Sequence, residues 1–384
     1  MPAPRRQLLQ AALALGIGAT AGGQRAAAVP GRAELVLGQS VPLSGPFAGL
    51  GRQYRDGTRL ALDEANAQGG IGGRPLRLVT LDDGYVAAQA AANARALIEQ
   101  HQAIGLLNHM FTNTVRASWP VAREAGLPYV GPYTGHADFY RERHALLYLT
   151  RASFDDELAR ILDYLGTVGY ARIGVAHYDN PVGLDFLRDA REGLARRQRP
   201  APTVAAAMPI GGAAQAAATA LAAQAPDALL LGVSGADAVA LIRALQALGA
   251  RPAYFARSLV GARQLHDSLG AAARGVVVSQ LVPSPARSAL PVIADYRRLL
   301  LQRQALQPAR PDFVELEGFL NARLLLHALR TMSGEPSPAA LAAALARVGR
   351  VDLGGHVLDF SAGRRVGTRY VELSMLRSDG SFAQ

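Results

Sequence analysis

Short β-rich segments alternate with longer helical patterns from Glu34 onward, and this alternation leaves few folds open to the chain. The first predicted strand covers 34–41, and a glycine-rich loop and a helix over about 53–67 follow it. Pairs of strand and helix then repeat along residues 76–150. Repeated βα units of this kind form parallel sheets with helices on both faces. The pattern therefore predicts an α/β fold built from doubly wound, Rossmann-like sheets.

A second βα series begins near Ser153, which is a predicted helix N-cap ahead of three acidic residues. With 384 residues the chain is long enough for two domains. The C-terminal part that follows the second series is mostly helical, and it ends in a predicted hairpin of 357–360 with 370–376. Two βα series of similar size predict two lobes.

We expect the C-terminal part to return to both lobes and to complete them. The predicted first lobe combines 34–150 with 282–350, and the predicted second lobe combines 151–281 with 351–384. A chain that crosses between lobes more than once forms a hinge. A hinge beside a cleft is typical of a protein that traps a ligand.

Residues 1–28 have the pattern of a signal peptide rather than of a folded element. Arg5 and Arg6 precede an apolar stretch that runs to about Gly23, and small residues follow as far as Ala28. A charged segment, an apolar segment and a small-residue cleavage site in this order direct export. The arginine pair also resembles a twin-arginine export signal. We therefore expect export to the periplasm and cleavage near Ala28.

Composition excludes several classes of function. The chain has no cysteine, which excludes disulfides and thiolate metal sites, and its eight histidines show no metal-binding spacing. The net charge is +10, but the arginines are scattered and aromatic residues amount to 6%, so no nucleic-acid surface is indicated. No lysine is present for a phosphate-binding loop. We expect no metal, no cofactor and no nucleic-acid partner.

Several segments, taken in order, carry a resemblance to a known family. They are 41–46 (VPLSGP), 63–73 (DEANAQGGIGG), 125–128 (AGLP), 226–228 (PDA) and 354–360 (GGHVLDF). This series resembles the type I periplasmic solute-binding proteins of ABC importers, in the branched-chain amino acid (leucine/isoleucine/valine) binding family. The resemblance extends over essentially all of the chain from Glu34.

The resemblance implies two lobes joined by a multi-strand hinge and a function without catalysis. It implies a monomer that captures a small polar ligand between the lobes, either an amino acid or an organic or aromatic carboxylate. The partners it implies are the permease subunits of an ABC transporter, to which the ligand is delivered for transport across the membrane.

Loops that leave the carboxyl ends of strands bind ligands in open α/β sheets. In the family, such loops of the first lobe hold the ligand's carboxylate through hydroxyl and N–H groups. The matching ligand-binding positions of this chain are Phe111, Thr112, Asn113, Tyr133, Thr134 and Gly135 in the first lobe, and Asn180, Val182, Ser234 and Ser258 in the second.

One of these positions departs from the family pattern. The position that resembles the family's ammonium-binding carboxylate holds Ser258, beside Arg257. A buried ammonium group needs a paired negative charge. The sequence therefore leaves an amino acid and an organic acid equally open as ligands.

Other functions also remain open. Residues 232–236 (GVSGA) come close to the Gly-x-Ser-x-Gly nucleophile elbow of α/β-hydrolases, with Ser234 as nucleophile and His266, His327 or His356 as base. The resembled fold also serves exported sensor subunits, which report a ligand to a membrane receptor. Sugar-responsive transcription regulators share it too, but they carry a DNA-binding module where this chain has its signal-like segment.

Overall fold

Buried apolar strands form the centres of two separate sheets in the computed structural model, which describes residues 33–304 and 310–383. In chain order the strands are β1 (Leu35–Val41), β2 (Leu76–Asp82), β3 (Gly105–Leu107), β4 (Tyr129–Val130), β5 (Leu147–Tyr148), β6 (Ile173–Tyr178), β7 (Val204–Met208), β8 (Ala228–Gly232), β9 (Ala253–Ala256), β10 (Val277–Gln280), β11 (Arg350–Asp352), β12 (Val357–Asp359), β13 (Glu372–Leu376) and β14 (Phe382–Ala383).

The α-helices lie between these strands, except for a group in the C-terminal part of the chain. They are α1 (Ala48–Ala67), α2 (Ala87–Glu99), α3 (Thr112–Glu124), α4 (Ala137–Glu142), α5 (Phe154–Val168), α6 (Pro181–Arg196), α7 (Gln215–Ala223), α8 (Gly235–Ala247), α9 (Ala262–Leu269), α10 (Pro291–Gln304), α11 (Phe313–Arg330) and α12 (Pro338–Ala346).

The first lobe contains a five-stranded parallel sheet in the order β2-β1-β3-β4-β5. Strand β1 is buried along its whole length, as expected of a central strand with helices on both faces. Helices α10, α11 and α12 return to this lobe, because their apolar side chains share one buried cluster with β1 and α1. The first lobe is therefore built from two distant parts of the chain.

Helices α1 and α11 pack at very short range, because glycines lie at their contact. A Cβ atom at Gly57 would come within 1.8 Å of the carbonyl oxygen of Glu315, and one at Gly318 within 2.4 Å of that of Tyr54. The Tyr54 hydroxyl donates to the Gly131 carbonyl at 2.7 Å and accepts from the Asn321 amide at 2.8 Å. These contacts fix α11 against the sheet and α1.

The second lobe contains a seven-stranded sheet in the order β14-β13-β10-β9-β8-β6-β7. Strands β6 to β10 are parallel, whereas β13 and β14 add an antiparallel edge. Ser153 caps α5 as predicted, and Asp156 completes a capping box by accepting from the Ser153 backbone N–H. The predicted pair of α/β lobes is thus present.

Within the described residues the chain passes between the lobes three times. The passes lie between β5 and α5, between β10 and α10, and between β12 and β13. The first and third run side by side, since Leu149 and Val366 form a parallel bridge. The second and third are adjacent where Gln280 pairs with Glu372, so the three passes form the multi-strand hinge.

The predicted hairpin of 357–360 with 370–376 is wrong. Strand β12 pairs with β11, and β13 pairs with β10 of the second lobe. The Asp352 carboxylate accepts from the N–H groups of Gly354 and Gly355, which forms a tight turn between β11 and β12. A shorter hairpin is therefore formed before the chain crosses to the second lobe.

The β11–β12 hairpin lies on the first lobe, where Val351, Leu358 and Phe360 join the buried cluster of β1. Our expected division assigned 351–384 to the second lobe, whereas the chain reaches that lobe only after Phe360. The predicted signal peptide, residues 1–28, lies outside the described residues. In the described ranges none of the helices combines the length and the apolar character of a membrane span.

Candidate ligand-binding cleft

A cavity with about 500 Å³ of atom-free space lies between the lobes, where the carboxyl ends of both sheets face each other. This is the place where open α/β sheets bind ligands. The first lobe lines it with Phe47, Tyr85, Phe111 and Thr112. The second lobe lines it with Tyr178, Val182, Leu231, Gly232, Ser234, Arg257, Leu259 and Val260.

Three aromatic rings of the first lobe form one wall of the cavity. The ring centroids of Phe47, Tyr85 and Phe111 lie 4.7, 4.9 and 5.3 Å apart in pairs. Tyr178 of the second lobe faces Phe47 at 6.4 Å, edge to face. We call these four residues the aromatic wall. Such a surface favours a flat apolar group, which can stack or meet the rings edge-on.

Two residues of the aromatic wall have an unusual backbone conformation. Tyr85 has φ of 66° and Phe111 has φ of 69°, which bulky side chains rarely adopt. Each follows the end of a strand and directs its ring into the cavity. Strained residues of this kind persist where the surroundings hold them, and they cluster at ligand sites.

Arg257 is the charged residue of the cavity lining, and it directly follows β9. The residue is only 7% exposed. Its guanidinium carbon lies 4.0 Å from the centroid of the Phe154 ring and 4.5 Å from that of the Phe186 ring. Burial lowers the pKa of Arg257 to about 10, so it stays charged at neutral pH. Among the described residues it forms no ion pair or side-chain hydrogen bond.

Polar groups on the second-lobe side are held by Tyr178. Its hydroxyl accepts from the Ser234 backbone N–H and lies 3.0 Å from Asp237 Oδ2. Burial raises the pKa of Asp237, and hydrogen bonds from Gly211 and Tyr178 oppose this rise. Asp237 is thereby engaged behind the cavity surface rather than exposed in the cavity.

The ten sequence-predicted site residues fall into three groups. Phe111, Thr112, Val182 and Ser234 line the cavity. Tyr133, Thr134 and Ser258 lie behind it in buried contacts: Thr134 hydrogen-bonds Thr112, and the Tyr133 hydroxyl donates to the Ser258 carbonyl. Asn113 is exposed on α3, Gly135 packs against Phe154, and Asn180 caps α6. The structure thus brings four of the ten to the cavity itself.

Ser258 belongs to a buried charged cluster at the hinge, which we call the hinge cluster. Arg151, at the first crossing between lobes, donates to the Ser258 hydroxyl and lies 3.6 Å from Glu317 of α11 and 3.9 Å from Glu157 of α5. Glu157 Oε2 accepts from the Ser258 backbone N–H at 2.7 Å. The cluster joins both lobes, and Ser258 contributes to it rather than to the cavity lining.

Charged residues also meet across the outer edge of the cleft. Asp185 of α6 accepts from the His136 ring at 3.0 Å and lies 3.6 Å from Arg116 of α3. Near the cavity the Ala236 N–H reaches the Pro46 carbonyl from the other lobe, at 3.5 Å. These contacts join the lobes opposite the hinge, so the cleft is closed. We call Asp185, His136 and Arg116 the rim cluster.

Ser234 lacks the surroundings of a catalytic nucleophile. In residues 33–304 and 310–383 no histidine hydrogen-bonds to it, and its backbone is extended, with φ of −138° and ψ of 167°. A nucleophile elbow needs a strained turn and an adjacent base. That same part of the chain holds no cluster of three or more residues suited to a metal ion.

Sequence reasoning missed Phe47, Tyr85, Tyr178 and Arg257 as lining residues. Tyr85, Tyr178 and Arg257 lie at or shortly after the carboxyl end of a strand, and this is the signal that could have found them. Phe47 lies further on, at the N-cap of α1. Arg257 stands out in particular, since it is a charged residue directly after the apolar strand 253–256 (AYFA).

Comparison with known proteins gives a consistent result over the whole described chain. A model of the periplasmic binding protein family matches residues 34–381. A substrate-binding periplasmic protein from Ralstonia solanacearum aligns with a TM-score of 0.85 and 30% identity, over 91% of this chain and 99% of that one. A possible leucine/isoleucine/valine-binding protein from Rhodopirellula baltica aligns with a TM-score of 0.83 and 28% identity, over 91% and 96%.

The curated relatives match over shorter segments. An amino acid binding protein from Pseudomonas aeruginosa is 35% identical over 100 residues, which are 26% of this chain. The chain spans about a quarter of the length of most of these curated relatives, and 27% of the length of the one from Pseudomonas aeruginosa.

Proposed function

The chain belongs to the periplasmic binding protein family, and we propose that it is the solute-binding subunit of an ABC importer. This membership confirms the predicted type I fold and the resemblance on which it depended. The proposal is that the protein captures one small molecule between its lobes and delivers it to permease subunits. The observation that carries it is a cavity whose walls come from both lobes, with aromatic rings from the first and Arg257 from the second.

Closure of the lobes is the proposed mechanism. A ligand bound to one lobe favours closure only if it contacts the second lobe as well, because it must bind the closed state better than the open one. The cavity meets this condition, since Phe111 comes from the first lobe and Arg257 from the second. The hinge leaves the rim free to part, because the rim contacts are side-chain pairs such as Asp185 with His136.

The ligand is proposed to be an amino acid or an organic or aromatic carboxylate. We further propose that the protein acts as a monomer without catalysis. Export to the periplasm, with cleavage of the signal peptide near Ala28, completes the proposal. Ser234 is assigned to the cavity lining, not to a hydrolytic function.

Filling the cavity tests this function. A Val182→Trp substitution places a large side chain in the lining and should abolish ligand-induced compaction in small-angle scattering. Leu184→Trp is the matched control, because Leu184 lies on the same helix and is 56% exposed. The assay uses amino acids and organic acids, and a bound ligand should also raise the melting temperature of the unmodified protein.

Unchanged dimensions at saturating ligand would contradict the mechanism of closure. Uptake of the bound ligand by cells that lack this chain distinguishes the importer from a sensor subunit. Loss of uptake supports the importer. Normal uptake with a lost response to the ligand would identify a sensor.

A further inference from the structure

We propose that the ligand is a monocarboxylate with a flat apolar body and no ammonium group, and that Arg257 of the second lobe binds its carboxylate. This inference rests on the proposed function and narrows the class of ligand that it takes. It also assigns an orientation to the ligand: the charged end lies toward the second lobe and the apolar body toward the aromatic wall.

Arg257 is buried and forms no ion pair within the described residues, although Glu157, Asp189 and Asp155 attract it from a greater distance. The transfer of an unpaired charge from water into a protein interior is costly. The nearest groups are the rings of Phe154 and Phe186, which stabilise the cation but accept no hydrogen bond in the plane of the guanidinium. The N–H donors of Arg257 therefore remain available at the cavity surface. A carboxylate accepts two such bonds at once.

The cavity offers an ammonium group no negatively charged partner. None of the residues that line it is an aspartate or a glutamate. Asp237 is engaged by Tyr178 and Gly211, and Glu157 is engaged by Ser258 and Ser279. An ammonium group beside Arg257 would face a like charge. Amino acids are therefore disfavoured relative to the same acids without the amine.

The aromatic and aliphatic lining of the cavity favours a flat apolar body for the ligand. Phe47, Tyr85, Phe111 and Tyr178 line the same cavity as Arg257 with rings, and aliphatic side chains from the second lobe complete the lining. Rings arranged edge to face pack well against a further flat ring. With one cation in the lining, a single carboxylate balances the charge, so a dicarboxylate would leave one negative group unpaired.

This orientation is the reverse of the one that the family resemblance implies. There, loops of the first lobe hold the ligand's carboxylate. Here the first lobe contributes Thr112 and Tyr85 as its lining residues with a polar group, and the Thr112 hydroxyl is already hydrogen-bonded to Thr134. The cation lies on the other lobe, so closure itself brings Arg257 to the bound acid.

A matched series of compounds tests the inference by isothermal titration calorimetry. The compounds are 3-phenylpropanoate, benzoate, 3-phenylpropanamide and L-phenylalanine, with L-leucine for comparison. We expect one of the two carboxylates to bind best, and the amide and L-phenylalanine to bind roughly 10- to 100-fold more weakly. This factor corresponds to the loss of a charge-assisted hydrogen bond or the addition of an unpaired charge.

An Arg257→Gln variant tests the residue. It should weaken binding of the carboxylate by roughly 10- to 100-fold and leave the weak binding of the amide nearly unchanged. Arg251→Gln is the matched control, because Arg251 is exposed at the other end of β9. The comparison of acid with amide uses the unmodified protein, so it stands even if the variant unfolds.

Failure of the inference is distinct from failure of the proposed function. Tight binding of L-leucine or of the amide, with compaction of the lobes, would overturn the inference and leave the function intact. Equal loss of acid and amide binding in a folded Arg257→Gln variant would also overturn it. Absence of binding by both carboxylates contradicts it as well. The function fails only if no compound of the wider panel produces compaction.

Discussion

Glu317 in the hinge cluster offers a quantitative test of the structure. Its side chain is buried, and its Oε1 atom lies 3.6 Å from Arg151 Nε without a hydrogen bond. Burial raises the pKa of Glu317 from 4.5 to about 7, because the attraction of Arg151 is too weak to offset the loss of hydration and Glu157 adds repulsion. The folded protein therefore holds a proton on Glu317 that the unfolded chain releases.

The sign and size of the effect follow from this difference. Between pH 4.5 and about 7 the folded state binds more protons than the unfolded state, so the free energy of unfolding falls as pH rises. Each pH unit corresponds to about 1.4 kcal/mol, which gives about 3 kcal/mol in total. This contribution is fully present below pH 4.5 and is lost as pH rises through 7.

A Glu317→Gln substitution removes this titration and keeps the shape of the side chain. The assay is urea unfolding of both proteins at a series of pH values from 4 to 8, followed by subtraction of the free energies of unfolding. The free energy of unfolding of the variant, minus that of the unmodified protein, should increase by about 3 kcal/mol from the acidic to the neutral end of the series. Above pH 7 the difference should become constant.

Subtraction is needed because other buried groups titrate in the same interval. Burial raises the pKa of Asp83 to about 6, and it lowers the pKa of His109 to about 3 and of His356 to about 4. For both histidines the free energy of unfolding rises with pH, opposite to the effect of Glu317, since each must remain neutral in the folded protein. All three contributions cancel in the difference between the two proteins.

Glu335→Gln is the matched control, because the side chain of Glu335 is 87% exposed and pairs only with Arg74 in the described part of the chain. A flat curve for Glu317→Gln would refute the reasoning. A curve that falls as pH rises would refute it more strongly, since it would mean that Arg151 keeps the carboxylate ionised at acidic pH.

Two further substitutions test the closed cleft and the close packing of α1 on α11. Asp185→Asn should weaken ligand affinity by roughly two- to five-fold at low salt, because the rim cluster is partly exposed and such pairs contribute at most about 1 kcal/mol. The effect should vanish in titrations at high salt, and a salt-independent loss would contradict this expectation. Glu192→Gln should show no effect, because the ion pairs of Glu192 with Arg188 and Arg196 stay on α6. Gly57→Ala should lower the free energy of unfolding by about 3 kcal/mol or more in urea denaturation, because its Cβ would overlap the Glu315 carbonyl at 1.8 Å. Gly49→Ala on the same helix meets only ordinary contacts at 3.6 Å, and equal losses for the two variants would argue against the packing described.

The two-lobed architecture could be predicted because it depends on a repeated pattern. Each βα unit is recognised by a buried strand and a following helix, as with β1 and α1, and nine such helices, α1 to α9, carry the signal along the described chain. The last strands could not be placed in this way. Strand β12 has three residues, and its partner is decided by the turn at Gly354 and Gly355 rather than by its own composition.

The cleft was only partly predictable. Phe111, Thr112, Val182 and Ser234 follow from the family resemblance, which agrees with the rule that ligands bind at the carboxyl ends of strands. Ser258 lies one position from the lining residue Arg257, and no pattern in the sequence states which of two adjacent residues faces the cavity. Tyr85 depends on a left-handed backbone conformation that tertiary contacts impose. Such details arise only when the lobes meet.

The hydrogen bond between Asn321 and Tyr54 joins residues that are 267 positions apart in the sequence, and this separation has a consequence for how the protein forms. Strands β6 to β10 are contiguous in the chain and pair in parallel with near neighbours, so this half can assemble early. The other half must wait for α11 before its core is covered. Loop closure over such distances is slow, so we expect refolding with two kinetic phases, the slower of which buries Tyr54 and Tyr296.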